Sequence, residues 1–287
     1  MSIDSLHDRI RKRKNPIVAD FCPDLACVPP ALAEEAGGEF AGYVLFCRRL
    51  LELLSGAACG ARFSLGFFSL FGEQGIAALQ SLLRDARRLG YYVFLDAPEI
   101  SSAAAAAACA ERIFGAGEYP CDALVLSAFI GSDAIRPFLP YCKEKKGNVF
   151  VTIRSANKSA AEVQDLLSGT RHVHDAIAET VDRLGEGMYG KCGYSELGGV
   201  VSAGAPAYLR SLRTKRNRIF FLVDGLDTPS GNGKNCSLAF DRFGYGAAVC
   251  TASPLTAWRE SEADCLTAAR EAAERAKRIV TNYFTIL

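Results

Sequence analysis

The chain has 287 residues, 49% of them hydrophobic and 23% charged, with 33 basic residues against 32 acidic and a formal net charge of +1. This is ordinary globular composition, and so even a charge balance creates no field that would draw nucleic acid or an anionic membrane as a general partner. No run approaches the roughly 20 apolar residues of a membrane span, and residues 1–14 are too polar for a signal peptide, so a soluble cytoplasmic protein is expected. The 11 cysteines are scattered, with no Cys-x-x-Cys pair and no Cys/His cluster at zinc spacing. An odd count without a secretion signal favours reduced thiols packed as small apolar side chains, and neither a metal nor a cofactor is implied.

A polar helical extension over 1–14 opens the chain. Strands are then predicted at 16–21, 60–66, 91–96, 123–127, 149–154, 198–203, 220–224 and 247–251. Amphipathic helices fall between them at 40–54, 73–89, 103–114, 132–145, 160–168, 175–184, 205–213 and 237–243. A helical pattern over 255–284 lies in the closing segment, 255–287. The strands are unbroken apolar runs, as in a parallel sheet covered on both faces. Eight β–α units in about 250 residues is the arithmetic of an α/β protein with a (β/α)8 (TIM) barrel, read here as one domain over 1–287. A doubly wound open sheet is the runner-up, but no Gly-x-Gly-x-x-Gly loop follows the first strand. Gly90, after Arg87 and Arg88, reads as a helix-ending glycine, and Ser132 or Asp133 as the cap of the helix after the fourth strand.

A parallel barrel places its chemistry beyond the carboxyl ends of its strands. There the sequence offers a charged cup: Asp20, Arg62, Asp96, Glu99, Arg154, Asp224 and Asp227. Asp96, Glu99 and Arg62 are the candidates for catalysis. Asp96, Glu99 and Asp224 have the oxygen chemistry for Mg²⁺, for ribose hydroxyls or for an amine. The competing reading is that Arg62 and Arg154 pair with these acids and close a disused site. Ser230, Gly231, Asn232, Gly233 and Lys234 form a flexible turn before a helix, suited to a phosphate through backbone N–H groups and Lys234, or else a plain surface turn. His172 and His174 flank Val173 at i, i+2, so on a helix they would face different ways, and no metal site is expected there. The basic run 210–218 reads as a solvated helix end. Cys22, at a strand end, is the thiol best placed to react, but no histidine partners it in the sequence.

Several blocks, in order, resemble the bacterial type 2 orotidine 5′-phosphate decarboxylases. They are Lys14-Asn15-Pro16-Ile17-Val18 with Pro23 and Pro29, Phe67-Phe68-Ser69-Leu70-Phe71-Gly72-Glu73-Gln74-Gly75, and Cys121-Asp122-Ala123 through Phe129-Ile130-Gly131-Ser132-Asp133 and Arg136-Pro137-Phe138. Val149-Phe150-Val151-Thr152-Ile153-Arg154-Ser155-Ala156-Asn157, Leu222-Val223-Asp224-Gly225 and Gly246-Ala247-Ala248-Val249 complete the set. The resemblance implies a TIM barrel, a homodimer and a site at the C-terminal face, with Arg154, Asn157, Asp20 and Cys22 among its ligand-binding positions. It also implies a strand-three motif, Asp-x-Lys-x-x-Asp, whose Lys protonates the carbanion left by loss of carbon dioxide. Here Asp96 matches the first Asp, but Pro98 stands at the Lys and Ser101 at the second Asp. Arg62 replaces the strand-two Lys, Cys22 the ribose-holding Asp, and Ala252-Ser253-Pro254 the phosphate-gripping Arg. The strand-seven loop that supplies phosphate-binding amides and a Gln is Leu226-Asp227-Thr228-Pro229-Ser230-Gly231.

Proline donates no proton, and each such lost group is worth roughly 10²–10⁴-fold. The expectation is therefore a diverged paralogue that binds a nucleotide- or sugar-phosphate-like small molecule without the usual decarboxylation. Two alternatives stay open: an authentic decarboxylase with a rearranged site in which Arg62 or Arg154 replaces the Lys, and a non-catalytic dimeric interaction protein.

Overall fold

Eight parallel strands close on themselves: β1 (Ile17–Asp20), β2 (Gly60–Ser64), β3 (Tyr92–Asp96), β4 (Ala123–Ser127), β5 (Asn148–Thr152), β6 (Leu197–Ser202), β7 (Phe221–Asp224) and β8 (Ala247–Thr251). β1 pairs with both β2 and β8 to seal the barrel. The computed structural model describes residues 1–21, 24–97, 100–261 and 263–287. Cys22, Pro98 and Glu99 thus lie outside the described residues. Among those described, no helix is long and apolar enough to cross a membrane.

Side chains on a strand alternate between faces, and the alternation divides the apolar residues into two cores. Ile17, Ala19, Ala61, Phe63, Val93 and Leu95 point outward into a core shared with the helices. Val18, Tyr92, Phe94, Val125, Phe150, Val200, Leu222 and Cys250 fill the barrel interior. Neighbouring rings interlock there, with Phe94–Phe150 centroids 5.3 Å apart and Phe150–Phe220 centroids 6.3 Å apart. Gly60 makes room for this packing: a Cβ on it would lie 2.7 Å from the Tyr92 carbonyl and 3.2 Å from the Phe94 ring.

The helix Ile3–Arg13 stoppers the barrel floor with Ile3, Leu6 and Ile10, all buried in the interior cluster. Buried Glu196 holds its start, accepting from the Ser2 hydroxyl at 2.6 Å and the Ile3 N–H at 2.8 Å. Arg9 reaches the Gly90 carbonyl at 3.0 Å and anchors its middle. Gly90 itself has a φ of +83° and ends the helix Gly72–Arg88, as its position after two arginines predicted.

Four helix expectations need correction. Residues 160–168 do not form a helix: a 3₁₀ turn, Lys158–Glu162, leads to a hairpin pairing Leu167–Ser168 with Arg171–His172. The helix expected at 237–243 lies earlier, at Gly233–Ser237, because Asn232 caps it and Gly233 packs against the backbone of Ile279, where a Cβ would not fit. Residues 132–145 are broken into two 3₁₀ turns and the short helix Leu139–Lys143, with prolines at 137 and 140. Ser132 therefore caps no long helix; its hydroxyl accepts from Arg136 at 3.2 Å. The C-terminal segment is likewise divided, into Ser253–Thr256, a 3₁₀ turn, and Cys265–Thr281 with Asp264 as its cap.

Candidate functional site

The same alternation that fills the interior decides what faces the mouth. Asp20 is in phase with inward Val18, Asp96 with Phe94, Thr152 with Phe150 and Asp224 with Leu222. Each is the last residue of its strand and only half-buried, whereas the residues before it are buried. The strand ends therefore open into a cavity of about 500 Å³ lined by Asp20, Arg62, Asp96, Asn157, Asp224 and Asp227, with Thr152, Gly225, Thr228 and Cys250.

Register brings Asp20 and Arg62 together as direct neighbours on β1 and β2. The Arg62 Nε lies 3.0 Å from one Asp20 oxygen and Nη2 lies 2.6 Å from the other, the two-pronged geometry that a guanidinium makes with a carboxylate. Its remaining nitrogen, Nη1, contacts both Asp224 oxygens at 2.9 and 3.0 Å. The side chains of this triad are 14–19% exposed, and the two carboxylates raise the Arg62 pKa well above its ordinary value against the opposing effect of burial. Asp96 faces the same cavity without a hydrogen-bond partner among the described residues. Burial lifts its carboxyl to about 6; Arg62 opposes the shift, and Asp224 and Asp20 add to it.

Asp227 is held differently. Its carboxylate accepts from the Thr251 hydroxyl at 2.9 Å and the Ala252 N–H at 2.7 Å, although burial pushes its pKa up. Cys250 is buried beside Asp224, and burial drives its thiol well above the ordinary value, so it is no thiolate at neutral pH. Among the described residues no group of three His, Cys, Asp or Glu side chains is arranged to hold a metal ion.

Other sequence-derived candidates lie apart from this cavity. Arg154 is not on its wall; it grips Asp165 at 2.9 and 2.8 Å. The two histidines that should diverge instead converge on the same residue, a correction to the helical reading. His174 Nδ1 lies 3.1 Å from the Asp165 carboxylate, and His172 Nδ1 lies 2.8 Å from its carbonyl. His172 precedes the helix Val173–Gly185 in an extended conformation, so helical spacing does not apply, and the rings stack 4.9 Å apart. Gln164 completes this brace by accepting from the Ser155 N–H at 2.8 Å, which fixes the wall segment 155–157. Nothing local in the sequence marks Gln164 and Asp165 for this role.

Of the turn at 230–234, Gly231 and Asn232 line a second cavity behind Asp227, and neither cavity is lined by Ser230, Gly233 or Lys234. Ser101 is exposed, and Ser102 caps the helix Ala103–Ala110 by accepting from the Ala105 N–H at 3.1 Å.

A closed parallel (β/α)8 barrel with polar strand ends around one mouth cavity defines the class: a TIM barrel with a polar cavity at the carboxyl ends of its strands. No family model matches the chain. It is 24% identical over 261 residues to the orotidine 5′-phosphate decarboxylase of Clostridium novyi, covering 91% of this chain and 90% of that protein. It is 27% identical over 263 residues to that of Clostridium kluyveri, again covering 91% and 90%. Among solved structures, the orotidine monophosphate decarboxylase of Leishmania donovani superposes with a TM-score of 0.72 at 26% identity, over 98% of this chain and 99% of that one. Over most of its length the chain is thus similar to orotidine 5′-phosphate decarboxylases, in sequence and in fold.

Proposed function

We propose that this protein is a diverged member of the orotidine 5′-phosphate decarboxylase family that binds a small hydroxylated, phosphate-bearing ligand at the barrel mouth and does not decarboxylate by protonating a carbanion. One observation carries the reading. Arg62, the cation lining the mouth cavity among the described residues, is held by Asp20 and Asp224. A guanidinium whose pKa is raised further still gives up no proton, so Arg62 is a poor substitute for a catalytic lysine. Four carboxylates, on Asp20, Asp96, Asp224 and Asp227, also oppose a substrate carboxylate there. Asp20, Asp96 and Asn157 have the chemistry to accept from and donate to sugar hydroxyls, and Asp96, near pH 6, is suited to proton exchange with a ligand.

Spectrophotometric turnover of orotidine 5′-phosphate should be absent in the wild-type protein at micromolar enzyme. Turnover that disappears in Arg62→Ala would instead establish the rearranged decarboxylase. The homodimer implied by the family is part of the same proposal. The exposed apolar side chains of Phe129 and Leu167, 77% and 67% exposed, support it, and light scattering of the purified protein tests it.

A further inference from the structure

The hairpin that follows β5 is held by almost nothing apolar. From 161 to 171 every residue except Gln164 and Asp165 is exposed, Val163, Leu166 and Leu167 included. A segment with so little buried apolar surface opens locally at small cost. Its attachment is polar and passes through those two residues. Asp165 takes Arg154 with two prongs, its carboxylate also meets His174 Nδ1 and its carbonyl meets His172 Nδ1. The Gln164 carbonyl accepts from the His174 N–H at 3.0 Å, and its side chain binds Ser155 twice, at 2.8 Å to the N–H and 3.3 Å to the hydroxyl. Ser155, Ala156 and Asn157 line the mouth cavity. One wall of the mouth is therefore fastened to the hairpin, and the hairpin to two histidines.

A carboxylate and a carbonyl only accept, so both neutral imidazoles carry their proton on Nδ1. His174 thus donates to Asp165 while uncharged, and Arg154 already neutralises that carboxylate. A second proton, on His174 Nε2, would put an imidazolium where the side chain is only 6% exposed. The ring faces groups of both signs. The His172 ring, stacked 4.9 Å away, and Arg154 on the shared carboxylate disfavour the added charge. Asp165, and Asp175 at 3.9 Å from Nε2, favour it. Tyr208, from the helix Pro206–Lys215, packs its ring 3.9 Å away and donates its hydroxyl to the His174 carbonyl at 3.3 Å. Burial outweighs the acids and holds the His174 pKa below its ordinary 6.5.

We propose that Asp165 and its two histidines form a pH-sensitive latch: protonation of His174 frees the hairpin and, through Gln164, releases the wall segment 155–157 from the mouth. The closed latch resists the second proton, whereas the opened hairpin takes it up at the ordinary value, so acidification favours opening. A single proton linked in this way raises the open population several-fold between about pH 7.5 and about pH 5.5, with a ceiling of about ten-fold. The latch does not depend on which ligand the mouth takes.

Hydrogen exchange read by mass spectrometry on the whole protein tests this without any ligand, in peptides that contain the Ser155 amide. After correction for intrinsic exchange, protection there should fall several-fold from about pH 7.5 to about pH 5.5 in wild type. The fall should persist in Asp96→Asn, which removes the other group titrating near pH 6 at the mouth. It should vanish in His174→Asn, whose amide keeps a donor near the Nδ1 position and cannot titrate. Should that variant unfold, wild type alone still decides. The chain has only three histidines, so nitrogen NMR resolves each imidazole, and His174 should show the Nδ1–H tautomer at about pH 8 and titrate below 6.5. Protection independent of pH in wild type, the same fall in His174→Asn, a fall lost in Asp96→Asn, or an Nε2–H tautomer at His174 overturns the latch.

Discussion

Asp224 and Arg62 stand on strands separated by β1 and β8, yet both Asp224 oxygens lie within 3.0 Å of one Arg62 nitrogen, across the barrel mouth. Family resemblance places a lysine at position 62, and here an arginine and two acids form a closed triad instead. The guanidinium meets Asp20 with two prongs and Asp224 with its remaining nitrogen, a planar fork that an ammonium, with three donors on one atom, cannot reproduce.

Removing the cation strands two carboxylates beside a third. Arg62→Ala should therefore cost about 3–5 kcal/mol of stability at pH 7, the usual cost of breaking a buried pair from one side. Urea denaturation reads it. Asp20→Asn/Asp224→Asn in the same background should recover a large part, because the stranded charges are gone. A loss under about 1 kcal/mol would mean that the triad is solvated and contributes little.

Asp96 makes stability depend on pH in the sense opposite to that of a paired carboxylate. Its folded pKa of about 6 exceeds the unfolded value near 3.8, so the folded state holds the proton longer. Below about pH 3 both states are protonated and the residue is neutral to stability. As pH rises from there through 6 the unfolded chain loses its proton first, and stability falls by up to about 3 kcal/mol, less what water at the mouth screens. Asp96→Asn should accordingly raise the melting temperature by several degrees at pH 8 and leave it unchanged near pH 3. An equal shift at both values would assign the effect to packing rather than to charge.

The floor plug gives a prediction independent of the mouth. Leu6 is fully buried inside the barrel, so Leu6→Ala should cost about 2–5 kcal/mol in urea denaturation through lost burial and a residual cavity. A cost below about 1 kcal/mol would mean that the helix Ile3–Arg13 docks only loosely.

All eight strands are readable from apolar runs bounded by turns, and in-phase alternation puts Asp20, Asp96 and Asp224 in the mouth. What periodicity cannot supply is distance across the barrel. The Asp224–Arg62 contact joins residues 162 apart in sequence, and no local pattern encodes it. Arg154 illustrates the converse: its strand-end position suggested the cup, but Asp165, 11 residues on, captures it. The segment 160–168 has helical spacing at Ala160, Val163 and Leu167, but Ser168, Gly169 and Thr170 favour the turn that forms.

Arg213 lies in the basic run 210–218, yet it is a buried structural clamp rather than a surface charge. Its guanidinium donates to the carbonyls of Ala239 at 2.6 Å, Asn217 at 3.2 Å, Ile219 at 3.0 Å and Gly246 at 2.7 Å, with no carboxylate in the set. It also sits 4.2 Å from the Phe221 ring centroid, where a cation is attracted to the ring face. Burial lowers its pKa to about 10, so it is still charged at neutral pH, and four carbonyl dipoles with two rings replace its water. Arg213→Ala leaves several buried acceptors unmatched, each worth about 1–3 kcal/mol, and should cost at least 3 kcal/mol in all. Arg213→Lys should recover only part, because an ammonium cannot span carbonyls arranged around a planar fork. The exposed neighbour in the same run gives the contrast: Arg210→Ala should stay within about 0.5 kcal/mol of wild type. Equal effects at 210 and 213 in urea denaturation would show that the run acts as a solvated charge cluster and that Arg213 is no buried clamp.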